Sequence, residues 1–273
     1  MKRKAAVVVS LLVVACQAEV KPDAPPPELK NQELTVLSQS LTEFHLKLTG
    51  KLECPDACNA TRAKYELVVD GKVVSGGEAP VSLSAPAGGS VEWTLDQTSQ
   101  YVTSADELKA MDTRGGSLLT ALRGKLFVTQ GQKTHEIDFA RSREVRVPRL
   151  PHVKFQELEA GRFSENEAGI TFHIGVNNPN PFEIRVAGIN YKVQIAGKQV
   201  AEGLIGKAER VSPSSTGVFD LETHVDAATH GEAEVKKLIK SQVLPYVITG
   251  EMTSELFSET FEFKGDVKLN ISK

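Results

Sequence analysis

Tyr65 and Tyr191 lie 126 positions apart, and so do Gly71 and Gly197, Lys72 and Lys198, Val74 and Val200, Gly77 and Gly203, and Gly124 and Gly250. The same offset pairs apolar positions: Phe44, Leu46 and Leu48 with Ile170, Phe172 and Ile174; Leu67 and Val69 with Val193 and Ile195; Trp93 and Leu95 with Phe219 and Leu221. One ungapped register that keeps turn glycines and alternating apolar faces together implies a domain repeated in tandem. The period is longer than the roughly 20 to 50 residues of stacked solenoid repeats, so each copy must close a core of its own. About 120 residues per copy is enough for that.

The second copy contains the most informative stretch, Asn177 to Gly203. Two Asn-Pro pairs, Asn178-Pro179 and Asn180-Pro181, push the residue before each proline out of the helical region and impose an extended corner, closed by Phe182. Ile189, Tyr191, Val193 and Ile195 then alternate with Asn190, Lys192 and Gln194, the period of a strand with one buried face. Ala196-Gly197 supplies a hairpin turn into a return strand ending near Gly203. Ala60 to Gly77 repeats the unit. This strand-turn-strand behind a proline corner resembles the signature of the water stress and hypersensitive response domain, shared with the late embryogenesis abundant type 2 proteins. Its motif positions are Asn178, Pro179, Asn180, Pro181, Phe182, Tyr191, Gly197 and Gly203. The resemblance covers nearly all of Glu33 to Lys273 and implies a β-sandwich like that of fibronectin type III or immunoglobulin domains, with a non-catalytic role in desiccation or related stress.

The remaining patterning agrees with a mainly β chain of about seven short strands and one short helix per copy, folded as antiparallel sandwiches. Trp93 sits with Val91 and Leu95 on the apolar face of an alternating strand and reads as a core aromatic, not a sugar platform. Ser104-Ala105-Asp106-Glu107 is a capping box opening a helix that Gly115-Gly116 ends, and Glu232 to Lys240 is its counterpart. Pro148-Arg149-Leu150-Pro151 reads as a short, stiff junction. The expected organisation is a leader at 1–15, a proline-rich tether at 16–32, a first sandwich at 33–148 and a second at 149–273.

Lys2, Arg3 and Lys4 precede an apolar run from Ala5 to Val14, too short to span a bilayer, and Val13-Val14-Ala15-Cys16 resembles a bacterial lipobox. Cleavage before Cys16 and its acylation would anchor the chain in an envelope membrane. Gln17, which is not aspartate, favours the outer membrane in a two-membrane cell. Pro22, Pro25, Pro26 and Pro27 stiffen the tether. Loss of the leader removes three positive charges and shifts the net charge from −3 to −6, a poor balance for binding nucleic acid.

Setting Cys16 aside leaves two cysteines, Cys54 and Cys58, flanking Pro55-Asp56-Ala57. In an oxidising compartment they read as a disulfide that staples the first copy's corner, where the second has Asn180 to Ile184. Two thiols alone are half a zinc site, and redox pairs are usually spaced two apart.

Chemistry is sparse elsewhere. The six histidines form no helical metal pair; His224, Asp226 and His230 come nearest, at a spacing without coordination logic. No nucleophile elbow, P-loop or dinucleotide fingerprint occurs. The expectation is no enzyme, no cofactor, no metal and no small-molecule substrate, with a membrane and weak or transient protein clients as partners. The alternative is a module that docks an envelope partner through a sheet edge or the Asn178–Phe182 loop.

Overall fold

A computed structural model describes residues 24–164, 167–206, 209–233, 235–236, 243–254 and 256–268. The stretch read as a leader, Cys16 and most of the stretch read as a tether lie outside the described residues, as does much of the helix expected over Glu232 to Lys240. The chain is mainly β and forms two tandem sandwiches.

In the first, β1 (Glu28–Gln39), β2 (Glu43–Cys54) and β5 (Gly89–Gln100) form a three-stranded sheet in the order β1-β2-β5. It faces a four-stranded sheet of β3 (Cys58–Val69), β4 (Lys72–Ala85), β6 (Ser117–Gln130) and β7 (Lys133–Arg146), in the order β4-β3-β6-β7. Every pairing is antiparallel. In the second, β8 (His152–Ser164), β9 (Glu167–Asn178) and β14 (Ser215–Asp226) form one sheet. The other is β12-β11-β15-β16, from β11 (Gly188–Ile195), β12 (Lys198–Ile205), β15 (Val243–Thr253) and β16 (Ser258–Lys268). A two-stranded ribbon, β10 (Ile184–Val186) with β13 (Glu209–Val211), stands beside them. The first strand thus begins at Glu28, inside the stretch read as tether.

Helix α1 (Ala105–Arg114) starts at Ser104, whose Oγ accepts from the Glu107 amide at 3.2 Å. The returning bond goes one residue further back than a capping box requires: the Thr103 amide donates to Glu107 Oε2 at 2.8 Å. Gly115 ends the helix with its amide on Met111 O. A short α2 (Ala227–His230) follows β14.

The register between the two halves corrects the sequence reading. From the corner onward the offset of 126 holds: β5 maps onto β14, and Tyr65 faces Gly77 and Gly124 as Tyr191 faces Gly203 and Gly250. Before the corner the offset is 124, because β2 (Glu43–Cys54) maps onto β9 (Glu167–Asn178). Leu34 pairs with Leu48 as Leu158 pairs with Phe172. So Leu46 and Leu48 match Ile170 and Phe172, two residues earlier than the ungapped register gave. A slip of two keeps every side chain on its own face and is invisible to alternation. The extra two residues fall in the Asn-Pro corner, where Asn178, not Asn180, corresponds to Cys54. Packing adjusts accordingly: Trp93 lies opposite Gly50, while Phe219 lies opposite Ile174.

Each four-stranded sheet carries one row of glycines and aromatics, Gly77-Tyr65-Gly124-Phe139 and Gly203-Tyr191-Gly250-Phe261. The Tyr191 ring covers Gly203, where a Cβ would come 2.8 Å from its hydroxyl. Phe261 and Phe139 cross over Gly250 and Gly124, and a Cβ at either glycine would overlap the neighbouring strand's backbone carbonyl as well as the ring. These glycines let aromatics lie flat across the strands and fill the core. Trp93 is fully buried against Phe139, ring centroids 4.9 Å apart, as expected for a core residue.

The two cores are not separate. Leu41, Val102 and Leu108 of the first half are buried in the second half's cluster, and Tyr101 and Met111 pack against both. Tyr101 donates its hydroxyl to Ser40 O, and burial pushes its pKa up to about 12, so the phenol stays a donor.

Gly124→Ala and Gly250→Ala should each lower stability by about 2–4 kcal/mol in urea unfolding, through overpacking. Gly71→Ala, at a turn with φ +81° and nothing within 4 Å, should cost only about 1 kcal/mol.

Candidate functional site

The motif residues divide between two places: Tyr191 and Gly203 line an open cleft of about 810 Å³ with Gly250 and Phe261, whereas Asn178 to Phe182 form a latch at the corner. β9 ends at Asn178, whose side chain is fully buried, and the prolines on either side of Asn180 point to solvent while Asn178, Asn180 and Phe182 turn inward. Asn178 Nδ2 donates to Phe182 O at 2.8 Å, Ser212 O at 3.0 Å and Val211 O at 3.1 Å, tying the corner to the ribbon strand β13. Its Oδ1 accepts from both the amide and the Nδ2 of Asn180 at 3.0 Å. Each prolyl ring keeps its neighbour extended and has no amide proton to satisfy, so the two carboxamides supply the corner's polar contacts.

Asn180 extends the latch into the junction between the sandwiches. Its Oδ1 accepts from the Arg149 amide at 2.7 Å and its Nδ2 donates to Arg149 O at 2.8 Å, the two bonds of a strand pair made by one side chain. Arg149 Nε in turn meets Asp112 Oδ1 of α1 at 2.7 Å, and the same Oδ1 accepts from the Leu150 amide at 3.2 Å. The stiff junction read from its prolines is therefore held by side chains from both halves.

The first half builds the same corner with sulfur. Cys54 and Cys58 are disulfide-bonded, with Cα atoms 6.0 Å apart, and both are buried. One backbone bond is common to the two corners: the Gly88 amide donates to Pro55 O at 3.1 Å, and the Ser214 amide donates to Asn180 O at 2.8 Å. Gly88 and Ser214 both have positive φ, 68° and 49°. Gly197 and Ala196 likewise take positive φ, 78° and 49°, to form the hairpin turn after β11.

Away from the corner, His173 sits on the outer face of β8-β9-β14, with Nδ1 2.6 Å from Asp220 Oδ1 and Nε2 3.7 Å from Glu159 Oε2. The bond to Asp220, then the nearby charges of Asp220, Glu157 and Glu159, hold its pKa above the ordinary histidine value. Among the described residues no group of three or more His, Cys, Asp or Glu is placed to hold a metal ion. The latch was only half legible in sequence: the prolines announced a corner, but nothing local announces that Asn180 reaches Arg149, 31 residues back.

Two outcomes follow. Asn180→Ala leaves the Arg149 amide and carbonyl without partners and should lower stability by about 2–4 kcal/mol, with faster proteolysis at 148–151. For His173, the raised pKa means its contribution is complete below about pH 6.5 and is lost as pH rises through the higher folded value. Melting temperature should therefore fall as pH rises above about 6.5, and His173→Gln should flatten that slope.

A model of the family described as late embryogenesis abundant protein matches residues 173–268, from β9 to the end of β16. No curated protein sequence matches the chain. Among solved structures it is similar to a protein from Archaeoglobus fulgidus, with 17% identity and a TM-score of 0.32, over 44% of this chain and 100% of that one. It is also similar to an Arabidopsis thaliana protein solved in solution, with 16% identity and a TM-score of 0.36, over 46% of this chain and 88% of that one. A beta-glucuronidase from Bacteroides uniformis shares 11% identity, with a TM-score of 0.30, over 81% of this chain and 26% of that one.

Proposed function

We propose that the chain is a non-catalytic, lipid-anchored envelope protein of the late embryogenesis abundant type 2 class, carrying two copies of that domain and protecting membranes or proteins during water loss or related stress. The observation that carries this reading is the family match over the second sandwich, joined to the strand-for-strand register that relates the first sandwich to it. Cys16 within its lipobox-like sequence supplies the anchor.

The geometry suits a tethered spacer. Gln130 Nε2 donates to Pro25 O at 3.2 Å, fixing where the tether joins the first sandwich, beside the Cys54–Cys58 loop. From Cys16 to Pro25 an extended chain reaches at most about 30 Å, so the disulfide end of the first sandwich faces the bilayer. The outer faces carry solvated ion pairs, among them Glu66–Arg123 at 2.8 Å and Lys125–Glu136 at 2.6 Å. Exposed pairs add little to stability. They keep a hydrated, non-adhesive surface next to a drying membrane or client.

Docking an envelope partner is the second reading. The inward turn of Asn178, Asn180 and Phe182 argues against the corner loop as its surface, which leaves a sheet edge; β12 is one, and Leu204 on it is 63% exposed.

Mass spectrometry of the mature protein should find an acylated Cys16, and Cys16→Ser should release the chain from membranes. Added to a desiccation-sensitive enzyme before drying, the mature protein should preserve more activity than an equal mass of an unrelated β-sandwich. Equal recovery, together with one defined crosslinked product from position 204, would replace protection with docking.

A further inference from the structure

We propose that the ribbon of β10 and β13 carries an oxyanion-binding site at the junction of the two sandwiches, built on Arg185 and Arg210 and suited to a phosphate group. The two arginines are directly opposite in the antiparallel register. Directly opposed like charges destabilise a strand pair, so their placement is not explained by the stability of the ribbon. One carboxylate is present: Glu183 Oε1 lies 3.1 Å from Arg210 Nη1. Arg185 has no carboxylate partner among the described residues. The pair therefore leaves one uncompensated positive charge in a chain whose net charge is −3.

The surroundings are concave. Arg185, Arg210 and Glu183 line a cleft of about 250 Å³ whose other wall is Ser40 and Leu41 of the first sandwich, with Ser254 at its rim. Two arginines paired across one ribbon offer the planar, multidentate donors that phosphate oxygens take. The ribbon is held firm before any ligand arrives. Asn178 Nδ2 donates to Phe182 O, Val211 O and Ser212 O on both sides of it, and Ser254 Oγ donates to Arg185 O at 2.8 Å. The fold itself does not demand the charges: the first sandwich has the same opposed pair as Asn59 and Ser84, with Ala57 where the second has Glu183. This site is independent of the anchoring and protective roles proposed above.

The test uses the disulfide-bonded chain from residue 17 onward at low ionic strength, titrated with inorganic phosphate and followed by amide and arginine side-chain NMR. Saturable shifts should be confined to β10, β13, Ser40–Leu41 and Ser254. Arg185→Gln and Arg210→Gln should each weaken binding about tenfold, and Glu183→Gln, which removes the competing carboxylate, should strengthen it. Melting temperature should hold or rise in both arginine variants, since each relieves repulsion, so lost binding will not reflect unfolding. Flotation with phosphatidylglycerol vesicles, set against phosphatidylcholine, distinguishes the sources: Arg185-dependent flotation assigns a lipid phosphate, and phosphate shifts without flotation assign a free one. Shifts that never saturate, that spread over the other lysines and arginines, or that survive in Arg185→Gln would overturn the site.

Discussion

The second sandwich depends on two buried carboxamides. Asn178 and Asn180 sit where the chain crosses from one sheet to the other, and each is fully buried with its polar atoms bonded. A buried amide without partners costs on the order of 1–3 kcal/mol for each lost bond, so the pair is stabilising only while the whole set is made. That all-or-none character makes the corner a specifying element. It fixes the ribbon through Val211 and Ser212, and the junction through Arg149, with the same few atoms. The flanking prolines restrict the unfolded chain and remove two amides that the buried corner would otherwise have to satisfy.

The two halves solve one problem by different chemistry. Both corners need a backbone carbonyl met by an amide from the loop before β5 or β14, and both have it, from Gly88 and from Ser214. What differs is the device that keeps the loop closed. In the first half, three residues lie between the cysteines along the chain, and a disulfide closes the loop covalently. In the second the loop is two residues longer, and the added length carries the side chain that reaches the linker. The first corner closes on itself: its disulfide joins two residues of the same loop. The second has Arg149 behind it and needs a group that bonds outward as well as inward.

Much of this was legible in sequence, and the reason lies in which signals are local. Turn glycines, alternating faces, the Ser104 cap and the proline corner each act within a few residues, and each appears where its pattern placed it. The slip between offsets 124 and 126 was not legible, because a shift of two residues preserves alternation. Nor was the burial of Leu41 and Leu108 in the neighbouring core, since an apolar residue carries no mark of which core it joins. The motif residues were identified as a set, but their spacing looks the same for an exposed loop and for a buried latch. Only the partners decide, and Arg149 and Val211 lie about 30 residues away on either side.

Shared packing at the junction has a mechanical consequence if the chain is tethered as proposed above. If each sandwich moved freely, the tether would position only the first, and the second would sample a wide volume around it. Leu41, Val102 and Leu108 buried in the second core, with Asp112 and Asn180 gripping Arg149 from either side, remove that freedom. Closing this apolar contact and the polar latch together makes separation of the halves expensive, because opening one exposes the other to water. The surfaces of the second sandwich are thereby held at a fixed reach from wherever the first is anchored.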